Sequence, residues 1–242
     1  MAGARIHFVD SQLREILGDP TPEELSHRRQ IYAPGEGLFD LTGLEYATGL
    51  ENLLLPNNQI SDLSPLTSLT QLEEIFLGNN LISDVSPLAG LVHLEELDLY
   101  WNRISDISPL AGLTSLETLV VTKNQIRDLP PLTGLDNLWR LWLWKNDIRD
   151  ISSLADLHSL RNLDISDNQI SDVTPLADLC PFGAGEKSEF LMTVWVWRIG
   201  IRCLRRQPLW QAYPGRSRAS SGPGETRVRW RACSVPSDSR RD

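Results

Sequence analysis

Residues 94–115 read LEELDLYWNRISDISPLAGLTS. Apolar side chains first fall two apart, at Leu97 and Leu99, the period of a short strand with one buried face. Asn102 breaks the strand and turns it, and Ile104, Ile107, Leu110 and Leu113 then point inward from a returning arm. The pattern L-x-x-L-x-L-x-x-N-x-I-x-D-L-x-P-L-x-x-L-x-x occurs six times at an interval of 22, starting at Leu50, Leu72, Leu94, Leu116, Leu138 and Leu160. Its seven apolar columns hold 42 residues, every one Leu, Ile or Val, which a chain only 41% hydrophobic does not reach by chance. Self-similarity at a fixed period marks a repeat architecture.

Each copy therefore predicts one coil of a solenoid. No copy buries its own apolar edge, so stability comes from stacking on its neighbours. Parallel strands lie ~4.8 Å apart, so six coils make a rod on the order of 25 Å long that presents a curved sheet face. The Asn ladder, Asn58, Asn80, Asn102, Asn124, Asn146 and Asn168, brings two donors and an acceptor per side chain to backbone groups that the turn would otherwise leave buried and unpaired. A second column, Asp40, Asp62, Asp84, Asp106, Asp128, Asp150 and Asp172, is too regular to be a site. Its carboxylates are placed to accept from the N–H groups of the next turn.

The phrases NQISDLSPLTSL (58–69), NRISDISPLAGLTSLETL (102–119) and NQISDVTPLADL (168–179) resemble the leucine-rich repeat. The likeness is to the 22-residue class of bacterial internalins, which the phosphatase-regulating repeat proteins of eukaryotes also resemble, and it covers about residues 10–180. It implies a leucine-rich repeat solenoid of the α/β horseshoe or rod type. A parallel sheet would form the concave face, short 3-10 or irregular turns the convex face, and a small helical cap the amino-terminal end. It also implies a non-catalytic scaffold that binds a protein partner. A fold supports many functions, so the partner must be argued from residues.

Three regions follow. Residues 1–46 form the cap with a degenerate repeat, in which Leu25, Ile31, Leu38, Asp40, Leu41 and Leu44 persist while Arg28 and Glu36 replace an expected Leu and Asn. Thr21-Pro22-Glu23-Glu24 has the form of a capping box with Pro at the first helical position. Asp10 is placed to cap a second short helix carrying Leu13, Ile16 and Leu17. Residues 47–180 are the six repeats, and residues 181–242 are a basic tail.

The variable strand positions face outward. Three columns line the concave face: Asn52, Glu74, Glu96, Thr118, Arg140, Asn162; then Leu54, Phe76, Asp98, Val120, Trp142, Asp164; then Pro56, Gly78, Tyr100, Thr122, Trp144, Ser166. Trp101, Lys123 and Lys145 adjoin the third. Aromatics and Arg dominate binding hot spots, so Glu74, Phe76, Glu96, Asp98, Tyr100, Trp101, Arg140, Trp142 and Trp144 are the candidate partner site. Cross-strand aromatic packing is the competing explanation, at about 0.2–1 kcal/mol per pair. Glu51, Glu73, Glu95 and Glu117 form an acidic margin until Trp139 and Arg161 replace it; it is either a solvated edge or a steering surface for a basic or amphipathic partner.

The net charge of −9 is an average over unlike pieces: residues 1–180 hold 11 basic and 27 acidic residues, residues 181–242 hold 12 and 5. His7, His27, His93 and His158 have no nucleophile or carboxylate at a recognisable spacing, and no P-loop, G-x-S-x-G or H-E-x-x-H occurs, so no enzyme, cofactor or metal is expected. Cys180, Cys203 and Cys233 form no C-x-x-C pair. No run of 18 apolar residues is present, and MAGARIHFVD lacks an apolar signal region, so a cytoplasmic monomer is expected, or an extracellular protein if the amino terminus is incomplete. After Phe182 the period stops, with Gly185, Lys187 and Phe190 where Leu, Leu and Asn should follow. The tail reads as a shifted frame, as a basic segment for nucleic acid or anionic lipid, or as a disordered extension; nucleic acid is the less expected partner for the chain as a whole. The uncharged segment FLMTVWVW (190–197) is suited to add a strand to the edge left by copy six. The alternative to a concave protein-binding module is a bacterial surface adhesin, or a binder of anionic targets through the tail.

Overall fold

The computed structural model describes residues 5–179 and three short strand segments beyond them. Two helices open the chain: α1 (Ser11–Leu17) and α2 (Pro22–Ser26). Asp10 caps α1 by accepting from the N–H groups of Gln12 and Leu13 at 2.8 and 3.1 Å. Its other oxygen accepts from Phe39 N–H at 2.8 Å, so one fully buried carboxylate fastens the cap to the degenerate coil. Thr21 and Glu24 form the reciprocal capping box at α2, with Pro22 at its start.

Seven strands of three residues each follow in one parallel sheet: β1 (Gln30–Tyr32), β2 (Asn52–Leu54), β3 (Glu74–Phe76), β4 (Glu96–Asp98), β5 (Thr118–Val120), β6 (Arg140–Trp142) and β7 (Asn162–Asp164). Each residue pairs with the one 22 positions later, as in Leu53 with Ile75 and Leu119 with Leu141, and β1 keeps the same register. Beyond them, Thr193–Trp195 (β8) pairs in parallel with β7, Val194 opposite Leu163, where FLMTVWVW was expected to add a strand. Tyr213–Pro214 (β9) and Arg227–Arg229 (β10) pair antiparallel, β10 between β8 and β9. The three readings of the tail otherwise lie outside the described residues.

Of the 42 aliphatics, all but Leu129, Val173 and Leu176 are buried. The last two sit in the final coil. Leu129 has a local cause in the Asp column. Asp62, Asp84, Asp106, Asp150 and Asp172 each accept from the N–H two residues on, at 2.8–2.9 Å, and start a 3-10 turn there. After Asp128 that position is Pro130, which has no N–H, and coil four forms no 3-10 turn.

The Asn ladder joins neighbouring coils. Asn102 donates to Leu77 O of the preceding coil and Leu99 O of its own at 3.0 and 3.1 Å, and accepts from Ile82 N–H at 3.0 Å. Every Asn of the column repeats these three bonds. A buried group left unsatisfied costs about 1–3 kcal/mol, so this column is a structural requirement. Among the described residues no helix is long and apolar enough to cross a membrane.

Candidate functional site

The ladder brings the predicted concave columns into register: Glu74, Glu96, Thr118 and Arg140 in one row, Phe76, Asp98, Val120 and Trp142 in the next. Exposure along them is uneven. Thr118, Val120 and Thr122, the small residues of coil four, are buried between the longer side chains of coils three and five, whereas Trp142 is 38% exposed and Trp101 55%. Phe76, Tyr100 and Trp144 are half-buried. Gly78 explains part of the packing: a Cβ there would meet Tyr100 Cε1 at 1.9 Å, so only glycine allows Tyr100 to lie against this strand.

In each of the six coils the residue before the ladder Asn adopts a left-handed backbone. Asn57, Asn79 and Asp167 do so with residues that tolerate it. Coils three to five place Trp101, Lys123 and Lys145 there, at φ 51°, 55° and 58°. A non-glycine residue in this region carries strain of order 1–3 kcal/mol, and an Asn or Asp relieves part of it. The three unfavoured choices fall in the coils that hold the exposed aromatics Trp101 and Trp142. Lys123 Nζ lies 4.8 Å from the centre of the Trp101 ring and 5.1 Å from that of Trp144.

Arg140 is held in a similar way. Its guanidinium sits 4.3 Å from the Trp139 ring centre and 5.5 Å from that of Trp142. Cation–π contacts contribute about 0.5–1 kcal/mol at exposed sites. Trp139 Nε1 donates to Glu117 at 3.3 Å, and Trp142 Nε1 to Asn162 at 3.2 Å, which fixes both rings. Arg140 Nε and the neighbouring Thr118 Oγ1 are buried without a hydrogen-bond partner.

The other side of coil four is acidic. Asp98 accepts from Tyr100 N–H at 2.9 Å, but burial outweighs this bond and raises the carboxyl above its ordinary pKa. Along the margin, Glu51 pairs with Arg29 at 2.8 Å, while Glu73 and Glu95 are exposed. Among the described residues no ion pair forms between Glu74, Glu96 or Asp98 and Arg140, Lys123 or Lys145.

Three contributors lie outside the predicted set: Lys123, seated on the Trp101 and Trp144 rings, and two others. Tyr32, 65% exposed, heads the second column in β1 and extends it as Tyr32, Leu54, Phe76. Counting back 22 from Leu54 reaches it, but the columns began at the first full copy. Trp139 belongs to the Arg140 clamp rather than simply ending the acidic margin.

The family model of leucine-rich repeats, two copies per match, fits residues 48–90, 92–134 and 136–178. Among solved structures, an internalin of Listeria monocytogenes, InlF, is 38% identical over 71% of this chain and 54% of its own, with a TM-score of 0.68. A second, internalin C2 of the same organism, is 37% identical over 72% of this chain and 91% of its own, with a TM-score of 0.55. A leucine-rich repeat protein of Leptospira interrogans shares the fold at 24% identity, TM-score 0.55, over 58% of this chain and 38% of its own. This chain thus spans about half the length of InlF. None of the curated proteins matches the sequence.

Proposed function

Since the chain belongs to the internalin-type leucine-rich repeat proteins, a family of protein–protein interaction modules that are generally non-catalytic, we propose that it engages a protein partner through the concave face of coils two to five. Glu74, Phe76, Glu96, Asp98, Tyr100, Trp101, Arg140, Trp142 and Trp144 form the contact, with Tyr32, Lys123 and Trp139 added to it. One observation carries this reading. Coils three to five place Trp101, Lys123 and Lys145 in a left-handed backbone where Asn or Asp folds more readily, and the same three coils hold exposed Trp101 and Trp142. Sheet packing alone gives no reason for a tryptophan that is 55% exposed on a strained residue.

The test is a photo-crosslinking amino acid at Tyr32, Trp101 or Trp142, identification of the captured protein, and its affinity for Trp142→Ala and Trp144→Ala. Each substitution weakens binding at least about tenfold, as for a central aromatic anchor. Unchanged affinity in both variants removes the aromatic face from the interface.

A further inference from the structure

The concave face is electrically divided, and the division, taken together with the reading above that this face binds the partner, specifies the partner's chemistry. Glu74, Glu96 and Asp98 lie on β3 and β4, while Arg140 lies on β6; Lys123 and Lys145 adjoin the third column, at the other edge of the face, and Asp164 on β7 accepts from the Ser166 N–H and hydroxyl. These opposite charges stay unpaired because the ladder holds them apart. Glu96, Thr118 and Arg140 occupy successive strands in one row. Two strand spacings separate Glu96 from Arg140, about 10 Å, and three separate Glu74 from it, about 14 Å. The cationic end is also preorganised. Trp139 and Trp142 clamp the guanidinium, and Arg140 Nε and Thr118 Oγ1 are already removed from water without a partner. An arginine desolvated in this way gains most from a charged acceptor that reaches the free end of its planar fork. A nucleic acid or other polyanion would meet Glu74, Glu96, Asp98 and the glutamate margin next to that point.

We propose that the partner segment is bipolar: lysine or arginine side chains over Glu74, Glu96 and Asp98, and a carboxylate on Arg140 about 10–14 Å away. That distance is three to four residues of extended chain.

Three peptides of equal length test this by NMR shift titration of the isotope-labelled full-length chain: Lys-Lys-Gly-Ser-Gly-Glu-Glu, the same with lysine in place of both glutamates, and the same with glutamate in place of both lysines. The mixed peptide should bind at least about fivefold tighter than the lysine peptide, and shift the Trp139 and Trp142 indole resonances. Arg140→Gln should erase that advantage, and Arg140→Lys, which keeps the charge without the planar fork, should remove most of it. Equal affinity for the mixed and lysine peptides, a preference for the glutamate peptide, or an unchanged advantage in both variants overturns the charge assignment alone when the shifts still map to β3–β6. Saturable shifts confined to residues off the concave face overturn the concave reading as well. No saturable shift up to about 1 mM, the weakest binding worth assigning to a site, overturns the charge assignment.

Discussion

Coils one and two share their buried side with coils three to five almost residue for residue, yet their exposed sides obey different rules. At the left-handed position before the ladder Asn, the first pair uses Asn57 and Asn79, with Asn79 Nδ2 donating to Asn57 Oδ1 at 2.9 Å. Coils three to five use Trp101, Lys123 and Lys145. The inward residues answer to stacking, which is the same problem in every coil. The outward residues of coils three to five are held in a conformation that suits them poorly, which the proposed partner surface would account for.

The largest expected effect tests the shared side. Asn102→Ala leaves Ile82 N–H without its acceptor and takes one of two ladder donors from each of Leu77 O and Leu99 O, in the middle of the rod, and should destabilise the protein by up to about 3 kcal/mol. Urea unfolding measures it, and a loss under about 1 kcal/mol would mean that water replaces the ladder. Next, Trp142→Ala should reduce partner binding by about 2 kcal/mol with little change in stability, since Trp142 lies on the surface. A variant that loses stability and binding in parallel would reassign the ring to sheet packing.

A reciprocal exchange sharpens the contrast between coils. Lys145→Asn should stabilise by about 0.5–1 kcal/mol, because Asn tolerates the left-handed backbone that Lys145 now adopts. Asn79→Lys should lose a similar amount or more, since it imports the strain and removes the bond to Asn57. Two changes of the same sign in urea unfolding would refute the strain difference.

The smallest effect concerns pH. Burial raises the Asp98 pKa above the ordinary aspartate value, so the folded chain holds this proton at a higher pH than the unfolded chain does. Ionised Asp98 therefore opposes folding at neutral pH, and its contribution becomes less unfavourable as the pH falls through the raised pKa toward 3.8. Asp98→Asn, which keeps an acceptor for Tyr100 N–H, should be slightly more stable than the native chain at pH 7. That advantage should shrink as the pH drops toward 4, about the ordinary pKa of Asp. An advantage that grows on acidification would contradict the burial argument. Asp62, held low by hydrogen bonds from the Ser64 hydroxyl and N–H, acts in the opposite sense: its contribution is present above pH 3.8 and lost as the pH falls through its lowered pKa.

What was legible in the sequence follows the same division. The aliphatic columns, the Asn and Asp columns and both helix caps could be read because each position faces one physical requirement repeated every 22 residues. Leu129 departs because Pro130 removes a single N–H, and Val173 and Leu176 because the final coil has a neighbour on one side within the repeat. The concave columns were legible as places, but their contents were not legible as contacts. The strain at Trp101, Lys123 and Lys145 depends on a backbone angle that their residue types conceal. The Arg140 clamp uses Trp139, which an alternating strand pattern does not place beside its own neighbour. The close seat of Tyr100 depended on seeing Gly78 as its floor, one coil away.

The most direct test of the claim that coils three to five trade folding stability for a binding surface is the affinity of Trp101→Asn for the crosslinked partner. The substitution relieves the left-handed strain and removes an exposed ring that contacts Lys123. The account predicts stability equal to or above that of the native chain and binding at least about tenfold weaker. Native affinity in Trp101→Asn would contradict it.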